Sequence, residues 1–394
     1  MTTKELMALS DTVIMGTYSR FPIVLVKGDG ARVWDSEGNE YIDCVAGIAV
    51  CSLGHSHPRV VEAIKRQADL LMHVSNFYYI EPQIRFAKLL VEHSFADKAF
   101  FCNSGAEANE AAIKLARKFA QDTMEGKKYE IITMENSFHG RTLTTVAATG
   151  QTKFQVGFEP LPVGFSYVPF NDIAALEKAV TDKTCAVMVE PIQGEGGIRI
   201  PGRDYLKGVR KICDDRGILL IFDEVQVGMG RTGTLFAYEE SGIEPDIMTL
   251  AKAIGNGFPM GAMLATDRVA AAFTPGSHAS TFGGNPLAMA AGIAVMETMF
   301  QDGILEQCRE TGAYFIDKLK ELKDRHPIVE DVRGRGLIIG MELSCDGGDL
   351  VRKAMARGIL MICAGGNVLR FVPSLTISKE DVDSVIEVLD EVLG

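Results

Sequence analysis

No stretch of the chain approaches the ~20 consecutive apolar residues that a membrane-crossing helix needs. The opening Met1-Thr2-Thr3-Lys4-Glu5-Leu6-Met7 lacks the apolar core of a secretory signal. Neither sign of charge forms a long run. The net charge of −12, from 40 basic and 52 acidic residues, disfavours nucleic acid and anionic membranes, though it leaves room for a local basic pocket. The eight cysteines contain no C-x-x-C pair. Cys102, Cys185, Cys213 and Cys363 lie in apolar runs and read as buried free thiols of a cytoplasmic chain, not as a disulfide framework. No Gly-x-x-x-x-Gly-Lys-[Ser/Thr] loop is present, which removes a P-loop ATPase, and no Gly-x-Ser-x-Gly elbow, which removes the nucleophile of that hydrolase class. Repeats and low-complexity stretches are absent too.

What is there is an ordinary globular composition, 47% apolar and 23% charged, on 394 residues, a length that suits two domains. Residues 29–42 read as a hairpin with Gly38-Asn39 near its turn. From Pro58 onward, helical patterns alternate with short apolar runs. Helices are expected near 58–73, 82–94, 105–120, 172–181 and 204–216. Strands are expected near 99–102, 130–134, 185–189, 218–222, 247–250 and 261–265. That alternation predicts an α/β fold with a mostly parallel sheet between helices. A long helical stretch over about 286–324 follows, then an α+β pattern: a strand at 336–343, a helix near 348–357, and strands near 359–362 and 368–372. The last helix opens on the capping box Ser378-Lys379-Glu380-Asp381. The spacing puts a domain boundary inside the long helix near 300.

Two charged residues stand at the ends of apolar runs. Asp223 follows Ile218-Leu219-Leu220-Ile221-Phe222, and Lys252 follows Ile247-Met248-Thr249-Leu250-Ala251. Ligands collect outside the carboxyl ends of parallel strands, so one pocket could hold both. A lysine amine forms a Schiff base with an aldehyde cofactor, and a carboxylate partners that cofactor's pyridinium nitrogen. Asn103-Ser104-Gly105 leads from an apolar run into an Ala-rich helix whose first N–H groups suit a phosphate, although a plain helix cap reads the same way. Phe138 and Arg141 bring an aromatic face and a guanidinium into one loop.

Other motifs carry less. Gly228-x-Gly230-x-x-Gly233 has the dinucleotide spacing but no strand leading straight into a helix, so it reads as a loop. His55-Ser56-His57 lacks further ligands and reads as a turn before the Pro58 helix, not a metal site. His139, beside Phe138, could shuttle a proton, but reads as scaffold because Lys252 can already move one. Arg370 lies in the apolar run Val368-Leu369-Arg370-Phe371-Val372, where an unpaired charge is costly; a carboxylate-binding role suits it and Arg141. Glu190 and Glu195 are turn acids or a removable counter-charge.

The strings 103–118 (NSGAEANEAAIKLARK), 137–142 (SFHGRT), 190–197 (EPIQGEGG), 221–233 (IFDEVQVGMGRTG), 250–264 (LAKAIGNGFPMGAML) and 280–286 (STFGGNP) resemble those of the class III aminotransferases, fold-type-I enzymes using pyridoxal phosphate. The likeness runs from about Phe21 to about Ser378, with the motifs in the family's order. It implies a large cofactor-binding domain, 51–300, and a small domain built from both termini, 1–50 and 301–394. It implies Lys252 as the Schiff-base lysine and Asp223 on the ring nitrogen. Phe138 and Val225 would face the ring, and Gln226 its phenolic oxygen. Ser104, Gly105 and Ala106 would hold the phosphate, with Glu224 beside them in the site and Thr281 reaching in from the second subunit of a homodimer. Substrate contacts fall to Arg141, Ser280, Glu195, Arg370 and Tyr18. The resemblance implies transfer of a terminal amino group to 2-oxoglutarate, with acetylornithine the first donor, then succinylornithine, succinyldiaminopimelate, ornithine and 4-aminobutyrate. Ile48 stands where ornithine-using relatives carry tyrosine. A lyase or mutase of the same class, or a cofactor-free binding protein, are the alternatives from other function classes.

Overall fold

The computed structural model describes residues 1–124 and 127–394. Near the amino terminus β1 (Leu25–Asp29), β2 (Arg32–Asp35) and β3 (Glu40–Asp43) form an antiparallel meander. Its second turn contains Gly38 at φ +88°, a conformation that favours glycine. Next come β4 (Lys98–Cys102), β5 (Glu130–Met134), β6 (Phe165–Val168), β7 (Thr184–Val189), β8 (Leu219–Asp223), β9 (Ile247–Leu250) and β10 (Gly261–Ala265). They build one sheet in the order β4-β10-β9-β8-β7-β5-β6, with β10 antiparallel to both neighbours and the other strands parallel. This is the mostly parallel α/β sheet that the alternating pattern predicts.

The central strands explain why. Every residue of β7, β8, β9 and β10 is buried, as continuous apolar runs require when helices cover both faces. The helix Gly105–Thr123 crosses β9 and β10, burying Ala108, Ala111, Ala112, Ala116 and Ala120. Alanine on that face lets the helix axis approach the sheet closely. Its partners Ile113, Leu115 and Phe119 each contribute about 1.5–3 kcal/mol by burial.

After residue 325 the chain adds β11 (Val329–Arg335), β12 (Ile338–Leu343), β13 (Ile359–Leu360), β14 (Ile362–Ala364) and β15 (Val368–Phe371). Four of them form the sheet β11-β12-β15-β14, while β13 pairs in parallel with β3. The first sheet therefore joins strands from both ends of the chain.

Several elements differ from expectation, the strand β11 (Val329–Arg335) ahead of the expected strand at 336–343 among them. The long helical stretch is two helices, Pro286–Gln301 and Ile304–Arg325, broken at Gly303, whose φ of +66° ends a right-handed helix. The edge strand β6 was not expected, because Phe165-Ser166-Tyr167-Val168 is half exposed and lacks a buried strand's apolar run. The amino-terminal helix Thr3–Val13 buries no residue, so it shows no apolar stripe; its capping box, Thr2 with Glu5, is its sequence signal. All eight cysteines are free; Cys102, Cys185 and Cys213 are buried and Cys363 is half-buried. Among the described residues no helix is long and apolar enough to cross a membrane.

The loop 228–233 is held by Arg231, fully buried, which donates to the carbonyls of Leu337 and Pro373 and to Ser52 Oγ. Its glycines serve close packing: a Cβ on Gly233 would lie 2.4 Å from Arg309 Cγ. No α-helix follows it, only a short 3-10 turn at Ala237–Ser241.

Candidate active site

The carboxyl ends of β4, β5, β7, β8 and β9 open into one cavity of about 450 Å³, lined among others by Ser104, Phe138, Glu190, Asp223, Gln226 and Lys252. The amino end of β10 faces the same side because that strand runs backward, which brings Met260 into the wall.

Asp223 is 4% exposed and held by three donors. Asn109 Nδ2 donates to Oδ2 at 2.8 Å, His139 Nδ1 lies 2.7 Å from Oδ2, and the Val225 N–H donates to Oδ1 at 3.0 Å. Asn109 is itself fixed by Thr249 Oγ1 at 2.7 Å and by its own bond to the His139 carbonyl at 2.7 Å. These three contacts fix the direction of the carboxylate. His139 lies buried beneath the site, with Asp223 as its side-chain partner.

Lys252 follows β9 with φ +48°, a left-handed conformation costly for a side chain, by ~1–2 kcal/mol. The turn aims it back over the strand ends. Burial lowers its amine below the ordinary lysine range, against the pull of Glu195; Arg370 lowers it further, while Asp223 and Glu190 oppose.

Ser104 caps the helix Gly105–Thr123, accepting the Glu107 N–H at 3.2 Å, and Glu107 in turn accepts the Asn103 N–H at 2.6 Å. The first N–H groups of a long helix thus face the cavity, a site for an anion. Gly105 is required there: a Cβ would lie 2.7 Å from Val225 Cγ1. Four buried polar atoms of the wall and its rim have no partner among the described residues: His139 Nε2, Glu190 Oε2, Gln226 Oε1 and Arg370 Nε. An anion site, an anchored carboxylate, a buried amine and unmatched polar atoms around a cavity this size fit pyridoxal phosphate.

Arg370 on β15 is 2% exposed, and its Nη1 donates to Glu195 Oε1 at 2.6 Å. Burial alone would raise the Glu195 carboxyl, but the charge and hydrogen bond of Arg370 outweigh it and hold the group below the usual range. Arg141 lies at the cavity's mouth, exposed, with its guanidinium 4.0 Å from the Phe154 ring centroid and 5.5 Å from that of Phe138.

Not every expected residue joins them. Glu224 turns away, accepting the N–H groups of Ala237 at 2.7 Å and Tyr238 at 2.8 Å, so it buttresses the loop beyond the strand. Tyr18 is 74% exposed. Ser280 meets the site only through Asn103, whose Nδ2 donates to its Oγ at 3.3 Å, and Thr281 is exposed outside the cavity wall. Of the residues not expected, Asn109 and Phe154 matter most. Neither has a sequence signal, since an Asn inside a helix and a Phe in a loop gain their roles only from what folds against them.

Comparison with known proteins agrees with this geometry. Residues 14–393 match the class-III aminotransferase family. The chain is 56% identical over 382 residues to the acetylornithine aminotransferase of Caldanaerobacter subterraneus, covering 97% of each. Among solved structures, the ornithine aminotransferase of Toxoplasma gondii superposes with a TM-score of 0.96 at 34% identity, covering 100% of this chain and 95% of that one. The N-acetylornithine aminotransferase of Stenotrophomonas maltophilia gives 0.85 at 41% identity, covering 98% of each. With this fold, this cavity and a match across nearly its whole length, the chain belongs to the class-III aminotransferases.

Proposed function

We propose that this aminotransferase moves the terminal amino group of N2-acetylornithine to 2-oxoglutarate, giving N-acetylglutamate 5-semialdehyde and glutamate, with pyridoxal 5′-phosphate as cofactor. When bound, that cofactor supplies an aldehyde for the amine and a ring that accepts the electrons left at the substrate carbon. Lys252, its amine lowered by burial, would hold the cofactor through the aldehyde carbon, whose oxygen leaves as water, and would move the proton at the substrate carbon. Asp223 holds a proton at the ring nitrogen. The N–H groups at Ser104, Gly105 and Ala106 bind the phosphate, while Phe138 and Val225 enclose the ring and exclude water. Gln226 faces its phenolic oxygen.

The observation that carries the reaction class is the 2.6 Å pair of Arg370 and Glu195. The first half-reaction takes an amine from a carbon with no neighbouring carboxylate, and the second works beside one. A cation is needed in one half only. The Arg370 side chain is 3% exposed on a strand and cannot move far; that of Glu195 is 28% exposed on a loop and can. With Glu195 in place the guanidinium is neutralised; with Glu195 swung out it takes the 1-carboxylate of 2-oxoglutarate as a bidentate partner. Arg141 serves the distant carboxylate.

Two observations favour the acylated donor. The relative bearing the acetylornithine name is 56% identical, against 34% for the ornithine enzyme. Ile48 offers no hydroxyl to a free α-amine. We also assign residues 51–300 to a large domain, and 1–50 with 301–394 to a small one. A second copy of the chain is part of this reading. Leu70, Met72, Phe77, Tyr79 and Phe282 are 59–98% exposed in one region, where His73 packs on Phe282 at 5.0 Å. A face of that kind is normally covered, and Thr281 stands beside it.

A panel of amine donors with 2-oxoglutarate tests the assignment. Acetylornithine is expected to exceed ornithine and 4-aminobutyrate in kcat/KM by about tenfold or more, the scale of a lost or unmatched polar contact. A preference for free ornithine would overturn it.

A further inference from the structure

The two acids of Glu190-Pro191-Ile192-Gln193-Gly194-Glu195 stand in opposite circumstances. Glu195 has a cation at 2.6 Å. Glu190, immediately after β7, is 5% exposed, lines the cavity, and pairs with no cation among the described residues. Its Oε2 has no hydrogen-bond partner there. The groups that face it are the Asp223 carboxylate from β8, the Lys252 amine after β9, Glu195 from its own loop and the backbone N–H of Phe138 after β5. Arg370 lies behind Glu195, and His139 is bound to Asp223.

Two adjacent buried carboxyls do not both ionise. The donors decide which keeps its proton. Asp223 has Asn109, His139 and the Val225 N–H, all of which favour an anion. Glu190 has one backbone N–H at most. We propose that Glu190 is a positioning residue of the cofactor pocket, held as the neutral acid, whose Oε2–H donates to an oxygen acceptor on the bound ring. Burial, first, and then Asp223 push its carboxyl well above the usual range, in agreement with that assignment. The consequence is chemical: Lys252 already faces the Asp223 carboxylate and the Glu195 carboxylate that Arg370 neutralises, and it is spared a third anion that would hold its proton.

This proposal rests on the cofactor reading above, and Glu190→Gln separates the two. Glutamine has the same shape, a donor, and no charge. In the loaded wild-type protein a visible band changes with pH as the lysine-bound nitrogen titrates; absence of any band would defeat the cofactor reading. If Glu190 is neutral, Glu190→Gln leaves the pH midpoint of that band within about 0.3 units, and Glu190→Ala, which lacks the donor, weakens cofactor retention about tenfold or more. If Glu190 is ionised, Glu190→Gln removes a charge beside Lys252 and lowers the midpoint by about one unit or more, which would overturn the proposal. Thermal unfolding of the full chain stripped of cofactor gives a second reading. A raised folded-state value confers stability that is present below the unfolded value near 4.5 and is lost as pH rises. The melting temperature of Glu190→Gln should therefore exceed wild type least at pH 5 and by an increasing margin toward pH 9. A constant or shrinking difference contradicts the proposal.

Discussion

Arg141 is placed by stacking, not by an ion pair: among the described residues no carboxylate reaches it, and Phe154 lies 4.0 Å from its guanidinium carbon, edge-on to Phe138. A cation–π contact at a half-open site is worth about 0.5–1 kcal/mol. We expect Phe154→Leu to raise KM for the acetylated donor about two- to fivefold with kcat nearly unchanged, and Phe154→Tyr to restore it. An unchanged KM in steady-state assays would show that Arg141 does not need its platform. Glu195→Ala is expected to slow the amine-donor half-reaction about tenfold or more while sparing the glutamate half, because Arg370 is left charged beside an apolar substrate carbon. Single-turnover absorbance records both halves, and equal losses would remove the switch. At this scale the sequence pointed to Asp223 and Lys252 because each is the first charge after an apolar run. Asn109 was invisible, because nothing in an Ala-rich helix marks the one residue that meets Asp223 across the sheet. Glu224 misled for the same reason, since adjacent acids at a strand end point to opposite sides.

The helix Gly105–Thr123 and the strand ends are useful only at the spacing Gly105 permits. Gly105→Ala would press a methyl against Val225; overpacking of ~1–3 kcal/mol predicts a fall in cofactor affinity of about 5–150-fold, read by fluorescence titration of the stripped protein. Unaltered affinity would mean the helix terminus is not the phosphate site. A second element has its own signature. His55, half-buried before the Pro58 helix, bonds through Nε2 to Asp43 Oδ2 at 2.8 Å, and that hydrogen bond is the main cause raising its imidazole from 6.5 to about 10. A raised value gives stability that is complete below pH 6.5 and lost as pH climbs through about 10. The charged bond contributes about 1.5–3 kcal/mol, so wild type should lose more melting temperature between pH 7 and 10 than His55→Gln does. Parallel pH curves would contradict it. Strands β7, β8 and β9 were legible as unbroken apolar runs, whereas β6, half-exposed at the sheet edge, was not. The break at Gly303 was passed over because apolar spacing continues on both sides of it.

At the scale of the whole molecule, the proposed second copy of the chain would cover the exposed Leu70, Met72, Phe77, Tyr79 and Phe282. Phe282→Asp, placed among Leu70, Met72 and Phe77, is expected to convert a dimer to monomers by light scattering and to weaken cofactor retention as Thr281 is withdrawn from the neighbouring site. A dimer that persists with full cofactor would move the interface elsewhere. The order of the motifs along the chain gave the family and its sheet; the pairing of β13 with β3, which knits the two ends together, has no signature in a two-residue strand. The central claim is one covalent bond. Borohydride reduction of the purified protein followed by peptide mass mapping should bleach its colour and place a pyridoxyl group on Lys252 alone. A colourless protein, or an unmodified Lys252 after reduction, would contradict the account.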